Sequence, residues 1–401
     1  MPPLSVRIRS QILIVLIALI FNCQIGAQEQ PNAASAKLIL AHYMPWFEGK
    51  PVSPKWGWHW TMGRYDPEKK IDQRSELASH YYPWIGPYDS SDRDVIEYQL
   101  LTMKLAGIDG VIVDWYGLTN FRDYAILHRN TTRLLESAER LKMKFAICYE
   151  DQTIPALVEA KRIQKENRTS HAANEIQWLS KYWFQSPSYV QVDGKPLLLS
   201  FGQTGLSDAE WSDCLAQAKT PVTYISQHHR RTAAVGAFDW PVPSDSANAL
   251  KRFQKDSKNW KQSIPVAFPR FVDFYAEANV GKSYGRIEDD QGKSFREMLK
   301  HCLQSNASVI QLATWNDWGE GTQIEPSIEF GYRDLETVQA LRRQTFDPQF
   351  ASQPDDLLLP LLLLQCRRIA NADMNRLDRV VQAIVDGKLS QARDSLSEIQ
   401  E

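Results

Sequence analysis

IDGVIVDWYG, residues 108–117, is a run of apolar, mostly β-branched residues that ends in an acid, two aromatics and a glycine. It is too short for a globular helix and is bounded by turn residues, so it reads as a strand buried on both faces, carrying Asp114 at its C-terminal end. Seven more stretches share this character: 38–43, 144–150, 196–201, 222–226, 235–239, 265–268 and 308–314. Between most of them, over 95–106, 124–141, 208–218 and 294–303, apolar residues recur at spacings of three and four, which predicts helices. Eight strands alternating with helices predict an α/β fold, a (β/α)8 TIM barrel spanning 36–345. The alternative, an open doubly wound sheet, lacks the glycine-rich loop after its first strand that a nucleotide-binding version needs. One link, 227–234, has no room for a helix.

Outside the barrel the two ends differ. Arg7 and Arg9 precede ten apolar residues, 12–21, and the small pair Gly26 and Ala27. That pattern predicts a secretory signal peptide over 1–27, and a secreted or periplasmic protein. The apolar run is half of what a bilayer span requires, so no stable membrane insertion is expected after cleavage. Cys23 follows Phe21 and Asn22, which are not the small residues that lipoprotein processing favours, so lipidation is not expected. At the other end, 346–401 begins with a break rich in Pro, Gln and Asp and continues with the leucine-rich stretch 357–364. Leu377, Val380, Val381, Ile384 and Val385 then recur at helical spacing. This predicts a helical hairpin packed on the barrel.

Composition excludes several functions. Forty-six Lys and Arg balance forty-eight Asp and Glu without any basic cluster, so nucleic acid is not an expected partner. Cys148, Cys214, Cys302 and Cys366 are widely spaced, with no CxxC or Cys/His grouping. His228 and His229 are adjacent and face apart on an extended chain. No metal, no cofactor and no required disulfide are expected. The protein is expected to be a monomer acting on a carbohydrate.

The carbohydrate expectation comes from the strand ends, where a barrel of this kind carries its chemistry. Six of the thirteen tryptophans fall before residue 120, among Tyr, Pro and His. The first strand runs into Tyr43 and Trp46, followed by His59 and Trp60; the second ends in Asp114, Trp115 and Tyr116; the third ends in Glu150. The eighth runs into Asn316, Asp317, Trp318, Glu320 and Glu325. Aromatic faces stack on the apolar faces of pyranose rings, and carboxylates and amides take their hydroxyls. Asp317 and Glu320 lie three apart on a turn with Gly319 and Gly321, so both carboxyls can converge on one glycosidic bond, with Trp315 and Trp318 as walls. Glycoside cleavage needs such a pair, one to protonate the leaving oxygen and one to act as base or nucleophile.

The segment WNDWGEGTQIEP (315–326), together with YYPWIGPYDS (81–90), HYMPW (42–46), WHW (58–60) and 107–117, resembles glycoside hydrolase family 99 and the broader 71/99-like group. The resemblance covers most of 38–330. It implies a retaining endo-acting α-mannosidase or α-mannanase on a (β/α)8 barrel without a metal. The sugar's own 2-hydroxyl is then the nucleophile, and a 1,2-anhydro sugar the intermediate. By position, the resemblance makes Glu320 the general acid and Asp317 the base. The family has Glu where this chain has Asp317, and His where it has Gly319. Two other readings are a carbohydrate-binding protein with a degenerate site and a glycan-processing transferase of the related barrel group. The signal peptide disfavours the transferase, because activated sugar donors are mainly intracellular.

Overall fold

The computed structural model describes residues 37–400; the signal-peptide and lipoprotein expectations lie outside the described residues. Eight parallel strands form the barrel: β1 Leu38–Tyr43, β2 Gly110–Trp115, β3 Lys144–Glu150, β4 Lys195–Phe201, β5 Thr223–Gln227, β6 Gly236–Phe238, β7 in two segments, Gln262–Ile264 and Val266–Ala267, and β8 Val309–Leu312. β7 is divided at Pro265, which has no N–H to give to a ladder. Its first segment pairs with β6 and its second with β8, while β8 also pairs with β1, so the ring of parallel pairings closes.

Helices α1 Arg93–Ala106, α2 Tyr124–Arg140, α3 Arg168–Tyr182, α4 Asp208–Ala218, α5 Ser246–Asp256, α6 Lys293–Gln304 and α7 Arg333–Thr345 follow every strand except β5. The link 227–234 is a helix-free loop, as its length requires. Local sequence sets several helix starts: Ser207 and Glu210 cap α4 reciprocally, and the Asp92 carboxylate accepts the Asp94 N–H at the start of α1.

Strand periodicity divides the side chains into two cores. Leu40, Ile112, Ala146, Cys148, Leu199 and Val266 fill the barrel interior. Their neighbours Ile39, Ala41, Val111, Val113, Ile147 and Leu198 face the helices. Because successive strand residues point to opposite sides, parity decides which strand-end residues look up the barrel axis and which look into the outer layer.

The chain closes with three helices, α8 Leu359–Arg367, α9 Met374–Val385 and α10 Leu389–Gln400, where the sequence led us to expect a two-helix hairpin. Gly387, at φ 73°, turns the chain after α9 and makes α10 a separate helix. Leu363, Leu377, Val381, Ile384, Ala392 and Leu396 are buried in the same core as α1. The four described cysteines are all buried as free thiols.

Candidate active site

Glu320 and Asp317 sit on a turn that β8 throws over the mouth of the barrel. The Thr314 hydroxyl meets that of Thr322 at 2.9 Å and accepts the Asp317 N–H at 2.8 Å, so the base of the turn is pinned twice. Asp317 Oδ1 in turn accepts the Glu320 N–H at 3.0 Å. Gly321 takes φ 66°, and a Cβ there would lie 2.9 Å from the Val272 carbonyl oxygen, so a side chain is excluded on both counts. At Gly319 a Cβ would meet the Met62 methyl at 3.0 Å. Met62 already fills that space.

A second segment grips the turn from the side. A two-residue hairpin, Phe271–Val272 with Arg286–Ile287, follows β7. The Val272 N–H donates to the Glu320 carbonyl and the Phe274 N–H to the Gly319 carbonyl, both at 2.9 Å. Tyr275, on the same loop, donates its phenol O–H to Glu320 Oε1 at 3.2 Å. Buried Asp273 shapes the loop by accepting the Ser283 hydroxyl at 2.9 Å and the Tyr284 N–H at 2.7 Å. Sequence reading missed Tyr275 and Tyr284, because this loop has neither periodicity nor clustered acids.

These residues enclose a chamber of about 120 Å³ at the barrel mouth, on which Asp114, Glu150, Asp317 and Glu320 converge. His42, Trp240 and Tyr275 complete much of its wall. A wider cleft of about 920 Å³ continues from it, sharing Trp46, Tyr116, Glu150 and Tyr275, with His59 and the exposed rings of Trp58 and Tyr284 further out. Trp46 lies parallel to His59, ring centroids 4.1 Å apart, and His59 Nε2 is 3.3 Å from Asp123 Oδ2, so the indole is backed by a fixed imidazole. The Trp46 indole nitrogen and Asp114 Oδ1 are buried without a protein partner. Such atoms on a cavity wall are groups a ligand can satisfy.

Electrostatics separates the four carboxyls. Burial raises all of them, and no cation lines the chamber to offset it. Asp317 is pushed up to about 7 by burial, against N–H groups of its own turn that favour the charged form. Glu320 is raised well above the carboxylate range, by burial first and then by the Asp317 charge. Backbone donors thus make Asp317 the member that ionises, and Glu320 keeps the proton. Burial pushes Glu150 up to about 8 and Asp114 well up, the latter also through the charge of Glu150. His42 falls to about 3 by burial and is neutral.

Of the residues singled out from sequence, Trp46, His59, Asp114, Tyr116, Glu150, Asp317 and Glu320 line the cavity. Tyr43, Trp60, Trp115, Asn316, Trp318 and Glu325 do not; they are buried beneath or beside it. Parity accounts for two of them: Tyr43 and Trp115 have odd positions on strands whose even positions face inward, so they pack against the helices. Trp315 is buried in that same outer core. Trp60 and Trp318 belong to an aromatic cluster with Phe47 and Tyr88, so neither Trp315 nor Trp318 is the wall that their spacing suggests. Asn316 accepts the Met44 N–H at 2.8 Å and donates back to the Met44 carbonyl at 3.0 Å, tying β8 to β1. Glu325 accepts from Gln99 at 2.7 Å, Tyr88 at 2.8 Å and Trp318 at 3.2 Å. Tyr88 thereby links the 81–90 segment to the acid turn as scaffold. Among the described residues no group of His, Cys, Asp or Glu is arranged to hold a metal ion.

No family model matches the chain. The structure aligns with that of the GH99 endo-alpha-mannosidase from Bacteroides thetaiotaomicron at a TM-score of 0.59, with 19% identity, over 77% of this chain and 98% of that one. In sequence it is 21% identical over 302 residues to a glycoprotein endo-alpha-1,2-mannosidase-like protein of Danio rerio, covering 67% of this chain and 65% of the relative. The chain shares the fold of that GH99 endo-alpha-mannosidase. A second relative, the glycoprotein endo-alpha-1,2-mannosidase of Mus musculus, is 21% identical over 322 residues, 71% of this chain and 65% of that protein. The chain spans just under two thirds of the length of these curated relatives. A solved glycoside hydrolase-like protein, 14% identical, aligns at a TM-score of 0.55 over 77% of this chain and 94% of that one.

Proposed function

We propose that the protein is a secreted, monomeric glycoside hydrolase that cleaves α-linked glycans of the α-mannan type, with retention and with the sugar's 2-hydroxyl as nucleophile. The observation that carries this reading is the unequal pair on one turn, Glu320 protonated and Asp317 held by backbone donors as the ionising partner. In the first step the Asp317 carboxylate takes the proton of the 2-hydroxyl. O2 attacks C1 from the face opposite the leaving group, and Glu320 gives its proton to the departing glycosidic oxygen. In the second step the Glu320 carboxylate takes a proton from water as that water opens the 1,2-anhydro ring at C1, and Asp317 returns its proton to O2. Two inversions at C1 give net retention, and both side chains end in their starting states.

Trp46, backed by His59, offers a face for a pyranose ring, while Asp114, Tyr116 and Glu150 take hydroxyls. Asn316, Trp318 and Glu325 act through the turn they hold. The barrel, 36–345, carries the chemistry, and the C-terminal helices of 346–401 buttress α1. The names of the relatives, and a chamber lined by four carboxyls and no Lys or Arg, support a glycan substrate over a nucleotide sugar. The test is turnover of purified protein on neutral α-mannan and α-glucan panels beside a Glu320→Gln variant. We expect hydrolysis of an unactivated α-mannan to fall by roughly a hundredfold or more in the variant. Near-normal turnover in a folded variant refutes the assignment of Glu320.

A further inference from the structure

At the edge of the cleft two guanidinium groups gather around one aromatic ring. Phe121, in the loop after β2, has the Arg122 guanidinium 5.1 Å and the Arg162 guanidinium 5.8 Å from its ring centroid. Two like charges are gathered on one phenyl ring, and neither is ion-paired among the described residues. Asp123, the chain neighbour of Arg122, is committed to His59 at 3.3 Å. The contrast is the cavity between α1, α2 and α9, where Arg140 and Arg367 both close on Glu97, at 2.8 and 2.7 Å. There the guanidinium groups are structural.

Arg122 lines the cleft itself, as does Lys55, in a wall otherwise charged by Glu48, Asp123 and Glu150. Its backbone is left-handed at φ 51°, a conformation costly for a residue with a Cβ and one that collects at ligand-binding positions. Guanidinium groups facing solvent beside a sugar cleft match the planar, bidentate geometry of sulfate, phosphate and carboxylate oxygens.

We propose that the outer cleft, at Arg122 and Arg162 on the Phe121 ring, binds an anionic substituent of the glycan, so that the preferred substrate carries a sulfate ester, a phosphate or a uronate carboxylate. This rests on the glycoside hydrolase reading of the same cleft. The acid-lined chamber admits only neutral ring atoms, and the anionic group is placed outside it, so charge orients the chain across the site.

The test uses the turnover-blocked Glu320→Gln protein and four sets of manno-oligosaccharides: neutral, sulfated, phosphorylated and uronate-bearing. At low salt at least one anionic set should bind roughly tenfold tighter than the neutral set, a preference that shrinks in molar salt, where the screening length falls to about 3 Å. Adding Arg122→Ser and Arg162→Ser should bring the anionic-to-neutral ratio close to one. The arm that gains affinity identifies the substituent. Neutral oligosaccharides binding as well as every anionic set would overturn the proposal and leave the glycan site standing. If none of the four sets binds, the glycan reading fails. The anion site is then decided by titrating sulfate, phosphate and glucuronate into wild-type protein while following arginine side-chain NMR signals. Saturable shifts lost in the double variant support it, and their absence refutes it.

Discussion

Tyr275 gives the sharpest lever on the acid–base pair. Its phenol donates to Glu320 Oε1 at 3.2 Å, a contact that favours the ionised carboxylate and opposes the burial that raises Glu320. Tyr275→Phe removes the donor and keeps the ring that packs edge-on against Tyr284 at 5.8 Å. A hydrogen bond to a charged acceptor is worth about 1.5–3 kcal/mol, and the long separation argues for the lower end. About 1.4 kcal/mol is one pH unit, so Glu320 should become a weaker acid by roughly one unit. The sign follows from its role. Activity is lost at high pH when Glu320 gives up its proton, so the alkaline limb of kcat/KM should move upward by about one unit. The plateau should fall by up to roughly tenfold, because a weaker acid gives its proton less readily to the leaving oxygen in the first step. The assay is a pH profile on an unactivated α-manno-oligosaccharide. An alkaline limb that stays put or moves down, in a variant of unchanged fold, would refute the reasoning that couples Tyr275 to the acid.

Asp317, raised to about 7, must be ionised to accept the 2-hydroxyl proton, so kcat/KM should fall as pH drops through about 7. Because the two groups titrate together, this limb belongs to the pair, and Asp317→Asn should abolish it along with most of the activity. Trp46→Ala should weaken glycan binding by about 1–3 kcal/mol in calorimetric titration while leaving the melting temperature close to wild type. Trp318→Ala should do the reverse. It empties a fully buried site and removes a donor to Glu325, costing about 3–5 kcal/mol of stability by denaturant unfolding.

Strand and helix order was legible because barrel strands are short apolar runs and the covering helices are amphipathic. β7 shows the limit: its expected run began at Pro265, whereas the ladder begins at Gln262 and resumes past the proline. The acid turn was legible because Asp317, Glu320 and their glycines are contiguous. The aromatic residues misled, because the same Trp and Tyr types that stack on sugars also fill cores. His42, Asp114 and Glu150 face inward and Tyr43, Trp115 and Tyr149 outward on the same three strands, so counting positions along each strand would have sorted them. No such count finds Tyr275, whose place depends on a hairpin whose strands are two residues each.

The central claim is that Asp317 activates the sugar's 2-hydroxyl while Glu320 protonates the leaving oxygen. Proton NMR of the first-formed product, recorded during hydrolysis of an α-mannan before mutarotation, tests it most directly. The account predicts the α-anomer, with no glycosyl-enzyme trapped at any stage; β-anomer as the first product would contradict it.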